Sequence, residues 1–275
     1  MNTSSIPTER GEIHYRERPG KRPTLLFLHG NLGSSRWWEP VLERLPAGWR
    51  GIAYDAIGYG LSQRTDRMER FSVPARLRDL IAFIDALGLE QVHLVAHSTA
   101  SPVAIEYALL APQRVATLTL IGPVPATGAL TPEEAYPWLE RMSADRELLT
   151  TAIRASAPHL DAANADLQTF VDDAATLAPL TLSAIARGID AWQPRDRLRG
   201  LTLPVMIVRG EDDIMLEEKE AHLTLLSIPG AGSLEILHGA GHSPMIETPS
   251  GLTELLVTFI AEDWEDFEAI RQNVE

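Results

Sequence analysis

The sequence contains five short apolar runs that lack the polar alternation of a half-exposed strand. In chain order they are TLLFLH, GIAYD, VHLVAH, ATLTLIG and VMIVRG. Strands buried on both faces have this composition, as in parallel sheets that are covered by helices. One half-exposed strand is predicted before them, at EIHYRER, where polar and apolar residues alternate. The runs therefore favour a mostly parallel sheet with helices on both faces.

Helical patterns separate the apolar runs. In SVPARLRDLIAFIDALGL, leucine and isoleucine recur at helical spacing from Leu77 to Leu87, and Gly88 is a stop signal. SPVAIEYALLAP places Pro102 in a first helical turn, where its missing N–H costs little. Strands and helices that alternate in this way predict an α/β fold.

One long stretch, from about residue 125 to residue 198, shows no strand pattern. Helices are expected there around 133–142, 146–155 and 181–189. We expect a first core part over 1–124, a helical cap over 125–198, and a second core part over 199–275. The second part should end in a helix that runs into an acidic, amphipathic tail.

The composition narrows the range of partners. The 275 residues include 38 acidic and 24 basic side chains, so the formal charge is −14. This charge opposes binding to nucleic acid or to anionic lipid. The sequence has no cysteine, no secretory signal pattern and no apolar run near the roughly 20 residues that span a bilayer. We expect a cytoplasmic protein with a small-molecule substrate and with neither a metal nor a cofactor.

The run VHLVAH leads directly into Ser98, which has Ala96 and Ala100 two residues to either side. A serine on a tight turn between strand and helix, with small neighbours, is typical of a nucleophile elbow. The usual pattern is G-x-S-x-G, and each alanine adds a methyl group where the turn is tightest. Serine is also a favoured helix N-cap residue, and the two roles are compatible.

An acid and a histidine follow in the order of a hydrolase triad. PVMIVRGEDDIM provides Asp212 and Asp213 after a strand, and LHGAGHSPMIE provides His242 in a glycine-rich loop after the last strand. Serine, acid and histidine in this order form the α/β-hydrolase triad, in which the acid is Asp213 or its neighbour Asp212. Oxyanion donors are expected at the backbone N–H groups of Asn31, in LLFLHGNLGSS, and of Thr99.

These motifs resemble the α/β-hydrolase superfamily, especially its small capped bacterial esterase-like members, from about Gly11 to the C-terminal helix. The resemblance implies about eight strands with a cap inserted after strand 6 and lying over the active site. It also implies that Ser98 is the nucleophile and His242 the general base. The family's G-x-x-D loop, counted from Gly210, ends at Asp213. By the same resemblance a set of residues in YDAIGYGLS has a structural role: Asp55, Gly58, Gly60 and Ser62.

The predicted reaction is hydrolysis of a carboxylic ester or lactone through an acyl-enzyme. Alternatives on the same triad are a carbon–carbon bond hydrolase, a cofactor-free perhydrolase, which the Ser98-Thr99 pair resembles, and a weakly catalytic ligand receptor. Dehalogenases and epoxide hydrolases of this superfamily use an aspartate as the nucleophile, and the serine at position 98 argues against both. Four tryptophans are candidates to line the pocket: Trp37, Trp38, Trp138 and Trp192.

Overall fold

The computed structural model describes residues 1–161 and 165–264, and within them eight strands form one sheet. The strands are β1 (Asn2–Thr8), β2 (Gly11–Arg18), β3 (Thr24–Leu28), β4 (Arg50–Tyr54), β5 (Val92–His97), β6 (Val115–Ile121), β7 (Val205–Gly210) and β8 (Ala231–Leu237). Their order is β1-β2-β4-β3-β5-β6-β7-β8. Strands β3 to β8 are mutually parallel, whereas β2 pairs antiparallel with β1 and β4. The predicted eight-stranded, mostly parallel sheet is confirmed.

Ten α-helices connect the strands within the described part of the chain. They are α1 (Glu39–Arg44), α2 (Val73–Ala86), α3 (Ser101–Leu110), α4 (Tyr136–Met142), α5 (Arg146–Ser156), α6 (Ala165–Ala174), α7 (Thr181–Asp190), α8 (Glu218–Ser227), α9 (Pro244–Glu247) and α10 (Pro249–Thr258). β5 and β6 are buried along their whole length, as their unbroken apolar sequences predict.

The order of the central strands sets the position of a cleft. The chain moves from β3 to β4 in one direction and from β4 through β5 to β6 in the other. Since such crossovers are right-handed, α1 covers one face of the sheet, whereas α2 and α3 cover the other. The connections that leave β3 and β5 therefore diverge, and ligands of open α/β sheets bind at this kind of switch point, outside the carboxyl ends of the strands.

The segment between β6 and β7 contains α4 to α7. Three of these helices lie where the sequence predicts them. The fourth, α6, lies in a stretch that the sequence analysis left without a helix, although Leu167, Phe170, Val171 and Ala174 recur at helical spacing and form its buried face. The division into a 125–198 cap and two core parts stays a prediction.

The N-terminal residues differ from their sequence interpretation. The sequence analysis predicted no strand before EIHYRER, but Asn2–Thr8 forms β1, whose side chains are largely exposed. An edge strand that pairs only with its neighbour needs no apolar face, and so it has no period-two signal. The predicted acidic tail falls mostly on 265–275, outside the described residues. No helix in the described ranges is long and apolar enough to cross a membrane.

A buried carboxylate ties β2 to the loops after β3 and β4. Asp55 accepts hydrogen bonds from His14 Nδ1 at 2.8 Å, from the Leu61 N–H at 2.8 Å and from the Ser35 N–H. Burial alone would raise the pKa of Asp55, but these hydrogen bonds outweigh it and lower the pKa to about 2. The ionised carboxylate is therefore structural, which is the role that the sequence motif suggested.

We expect Asp55→Asn to lower the free energy of unfolding by about 3 kcal/mol, because the amide cannot accept from all three donors and leaves a buried polar group unpaired. The folded pKa of Asp55 lies below its unfolded value, so this contribution is present at neutral pH and is lost as the pH falls through about 2. Urea denaturation at pH 7 measures the difference. The matched control is Asp66→Asn at an exposed position, where a change of similar size would contradict the interpretation.

Candidate active site

Ser98 lies at a sharp turn directly after β5. Its φ angle is +51°, in the left-handed region that non-glycine residues seldom occupy. Such a conformation costs on the order of 1–3 kcal/mol and is typical of strained functional positions. The turn also needs a small neighbour, since a Cβ added at Gly30 would lie 2.9 Å from the Ser98 Cβ. The structure thus places the predicted nucleophile on an elbow, beside the loop that follows β3.

Two side chains that the sequence analysis did not single out hold this elbow. Ser101 Oγ donates to the Ser98 carbonyl at 2.7 Å and accepts from the Val124 N–H at 2.9 Å, which links the elbow to the loop after β6. Arg76, buried on α2, donates from Nη1 to the Thr99 carbonyl at 2.7 Å. The contacts of Ser101 with Val124 and of Arg76 with Thr99 join segments far apart in sequence, so local pattern could not reveal them.

Asp213 and His242 form a buried pair. His242 Nδ1 lies 2.9 Å from Asp213 Oδ2, and Asp213 Oδ1 accepts from the Met215 and Leu216 N–H groups at 2.7 and 3.1 Å. Burial alone would raise the pKa of Asp213, but the hydrogen bond and charge of His242 and these two N–H groups outweigh it and lower the pKa. Because an ionised carboxylate only accepts, His242 Nδ1 donates this hydrogen bond and Nε2 is left free of Asp213.

The neighbouring Asp212 points elsewhere. Its Oδ2 atom lies 2.7 Å from Nε2 of His159, and both side chains are substantially exposed. Of the two acids that the sequence left open, the structure brings Asp213 to the predicted base and directs Asp212 to the surface.

His97 joins the strand before the elbow to the loop that carries His242. Its Nε2 atom lies 2.9 Å from the His242 carbonyl oxygen, and the two rings are 4.9 Å apart. Burial and the nearby His242 lower the pKa of His97 to about 3, so the ring is neutral. A carbonyl only accepts, and therefore His97 Nε2 carries the hydrogen. The sequence analysis did not single out His97; its place in a fully buried strand was the available signal.

A second carboxylate fastens the His242 loop to the residues after α5. Glu247 accepts from the Gly241 N–H at 2.9 Å and from the His159 N–H at 3.0 Å. Burial raises the pKa of Glu247. Nearby, Ser243 Oγ donates to Ser156 Oγ at 3.2 Å. We call these three contacts the α5 clasp.

One cavity of about 270 Å³ contains the predicted reactive residues together: Asn31, Ser98, Thr99 and His242 all line it. Asp213 lies behind His242 and does not line it. The remaining walls are mostly apolar and are formed by Leu32, Trp37, Leu139, Met142, Ala152, Leu182 and Met215, with His97, Ser156 and Ser243. A larger cavity of about 560 Å³ between α2 and α7 is lined by Trp192 but by none of the predicted catalytic or oxyanion residues.

The four candidate tryptophans have different environments. Trp37 lines the cavity, and Trp38 packs in the core against Phe27. Trp138 is 56% exposed, with Arg141 over its ring, whereas Trp192 is buried and donates to Glu106. Of these four tryptophans, only Trp37 therefore lines this cavity.

Gly122, the first residue after β6, has no side chain, and this makes room for His242 and Asp213. Its φ angle is +49°, and an added Cβ would lie 2.7 Å from His242 Cε1, 2.8 Å from His242 Nδ1 and 3.2 Å from Asp213 Oδ2. A side chain at this position would collide with both partners. The sequence analysis did not single out Gly122.

Comparisons with known proteins agree with this architecture. The sequence model of the family described as alpha/beta hydrolase fold matches residues 23–249. The carboxylesterase YbfK of Bacillus subtilis is 25% identical over 276 residues, which cover 93% of this chain and 86% of YbfK. A haloalkane dehalogenase of Mesorhizobium japonicum is 39% identical over 118 residues, covering 43% of this chain and 38% of its own.

Among solved structures, the esterase EaEST of Exiguobacterium antarcticum superposes with a TM-score of 0.82. The match covers 95% of this chain and 100% of EaEST, at 20% sequence identity. At this identity the likeness establishes the shared fold and not the reaction. The fold hosts many chemistries, so the reaction must be argued from the site.

We expect Gly122→Ala to separate His242 from Asp213 and to abolish the low-field proton NMR signal of the shared Nδ1 hydrogen, because the new methyl group overlaps both side chains. The matched control is Gly88→Ala. Gly88 also has a left-handed φ, of +63°, but a Cβ there meets nothing within 4 Å. The control reproduces the backbone strain alone, and loss of the signal in both variants would contradict the steric explanation.

Proposed function

This chain belongs to the alpha/beta hydrolase fold family, and on that basis we propose that it is a serine hydrolase that cleaves a carboxylic ester or lactone through an acyl-enzyme intermediate. The observation that carries the proposal is the His242–Asp213 hydrogen bond, beside a serine held at a left-handed turn in the same cavity. The sequence similarity to the carboxylesterase YbfK supports the same class of reaction.

In the proposed reaction Ser98 Oγ attacks the ester carbonyl and His242 Nε2 takes the hydroxyl proton. Asp213 keeps His242 in the tautomer that leaves Nε2 free and stabilises the imidazolium once it forms. The N–H groups of Asn31 and Thr99 receive the oxyanion, a type of contact worth about 10² to 10³ in rate per donor. His242 then protonates the departing alcohol, and water releases the acid from Ser98 in a second cycle.

The nucleophile separates this reaction from that of the dehalogenase relative. In the relatives that use an aspartate nucleophile, a carboxylate stands at the elbow, where this chain has Ser98. A carbon–carbon bond hydrolase, a perhydrolase and a weakly catalytic receptor would share the triad geometry. Steady turnover of short p-nitrophenyl esters supports the esterase, whereas a single slow turnover with ligand-dependent stabilisation would support the receptor.

We expect Ser98→Ala to abolish both covalent labelling by a fluorophosphonate probe and ester turnover, with a loss in kcat of about 10⁶, as for a central triad member. Labelling is read by intact-protein mass spectrometry and turnover by p-nitrophenol release. Ser4→Ala, on the exposed face of β1, is the control and should behave as the unaltered protein does. Wild-type turnover by Ser98→Ala would overturn the proposal.

Neither His97 nor Asp213 should add an ionisation to the fall in kcat/KM on mild acidification, since the pKa of His97 is about 3 and the pKa of Asp213 lies below its ordinary value. At most one ionisation should therefore limit the reaction. The measurement is the slope of log kcat/KM against pH, with an expected limiting value of at most one. A limiting slope of two would mean that another cavity group must also be neutral.

A further inference from the structure

The outer walls of the cavity come from the helices between β6 and β7. Leu139 and Met142 belong to α4, Ala152 to α5 and Leu182 to α7. Among the described residues that line the cavity there is no lysine, arginine, aspartate or glutamate. Burying an unpaired charge or an unbonded polar group in such surroundings is costly. The walls therefore suit an uncharged, apolar group.

Two polar side chains of the cavity walls, Ser156 and His97, already have hydrogen-bond partners. Ser156 Oγ donates to the Ile153 carbonyl and accepts from Ser243 Oγ. His97 donates to the His242 carbonyl. Two further polar atoms, Thr99 Oγ1 and Trp37 Nε1, have no partner among the described residues, but protein atoms cover both and neither opens into the cavity. Away from Ser98, a ligand thus finds little with which to form hydrogen bonds.

We propose that this cavity holds the acyl part of the ester and that the preferred acyl group is neutral, apolar and about six to eight carbons long. The inference rests on the proposed acyl-enzyme reaction. At about 30 Å³ for each non-hydrogen atom, a cavity of about 270 Å³ holds roughly nine, and an octanoyl group has nine. A dodecanoyl group exceeds this space.

We assign the acyl part of the ester to this cavity, rather than the alcohol part, because the two parts leave the site at different stages of the reaction. When the ester bond breaks, the acyl carbon stays bonded to Ser98 Oγ, and the alcohol takes a proton and must depart before water enters. The acyl group therefore stays beside Ser98, in the cavity that Ser98 lines, through both half-reactions, whereas the alcohol is present only in the first.

Ala152 is the smallest of the four helical wall residues, so a larger side chain at this position shortens the space available to the acyl group. Phenylalanine at this position adds six carbons, which fill about 180 Å³ by the same conversion. About 90 Å³ remains, enough for the three non-hydrogen atoms of an acetyl group. Leucine adds three carbons and should have an intermediate effect.

The test is kcat/KM for p-nitrophenyl esters from acetyl to dodecanoyl. For the unaltered protein we expect a rise of about fourfold per methylene up to six to eight carbons and a fall beyond. An ester whose six-carbon acyl group ends in a carboxylate should react at least about 100-fold more slowly than the hexanoyl ester. Ala152→Phe should lower the hexanoyl-to-acetyl ratio by at least about tenfold, and Ala152→Leu by less.

Ala155→Phe is the matched control, since it places the same side chain on the same helix at an exposed position. It should leave the hexanoyl-to-acetyl ratio unchanged, and thermal melting checks that each variant is folded. A flat chain-length profile with Ser98-dependent turnover, or an unchanged ratio in folded Ala152→Phe, would overturn the acyl-length inference alone. Absence of turnover for every ester would overturn the proposed function with it.

Discussion

Parallel strands end at the same edge of a sheet, and in this chain that edge holds the loops after β3, β5, β6, β7 and β8, from which the whole site is built. Ser98, Asp213 and His242 are far apart in sequence and meet only because β5, β7 and β8 run in the same direction. The divergence of the chain at β3 and β5 then opens the space between Asn31 and Ser98. The direction and order of the buried apolar strands thus determine at which edge of the sheet a site of this kind can form.

Hydrogen bonds to the backbone hold the residues that we propose as reactive. Ser101 and Arg76 bind the carbonyls of Ser98 and Thr99, and His97 binds the carbonyl of His242. Backbone anchoring of this kind orients the neighbouring side chain and N–H groups without contacting the reacting atoms. It also offsets the strain of the left-handed turn at Ser98, because several buried hydrogen bonds would be lost if the turn relaxed.

The sequence predicted the elements that bury much apolar surface, since their hydrophobic period follows directly from that burial. It therefore identified the parallel strands, three of the four helices between β6 and β7, and the loops that carry Ser98 and His242. For the acid, the family's G-x-x-D loop favoured Asp213 over Asp212, but three-dimensional packing determines which carboxylate turns toward His242. The sequence analysis missed β1, which is exposed, and Arg76, Ser101 and Gly122, whose roles depend on distant partners. The division into core and cap remains a prediction.

The α5 clasp has a consequence for how ligands reach the cavity. Glu247 bonds at once to the loop before His242 and to the residues after α5. Lifting the end of α5 away from the sheet would break this bridge and the Ser156–Ser243 contact and so release the loop of His242. Displacement of α5 would thus also displace the residue that we propose as the base. Of the helices that line the cavity, α4 and α7 take no part in the α5 clasp, so their movement would leave its three contacts intact.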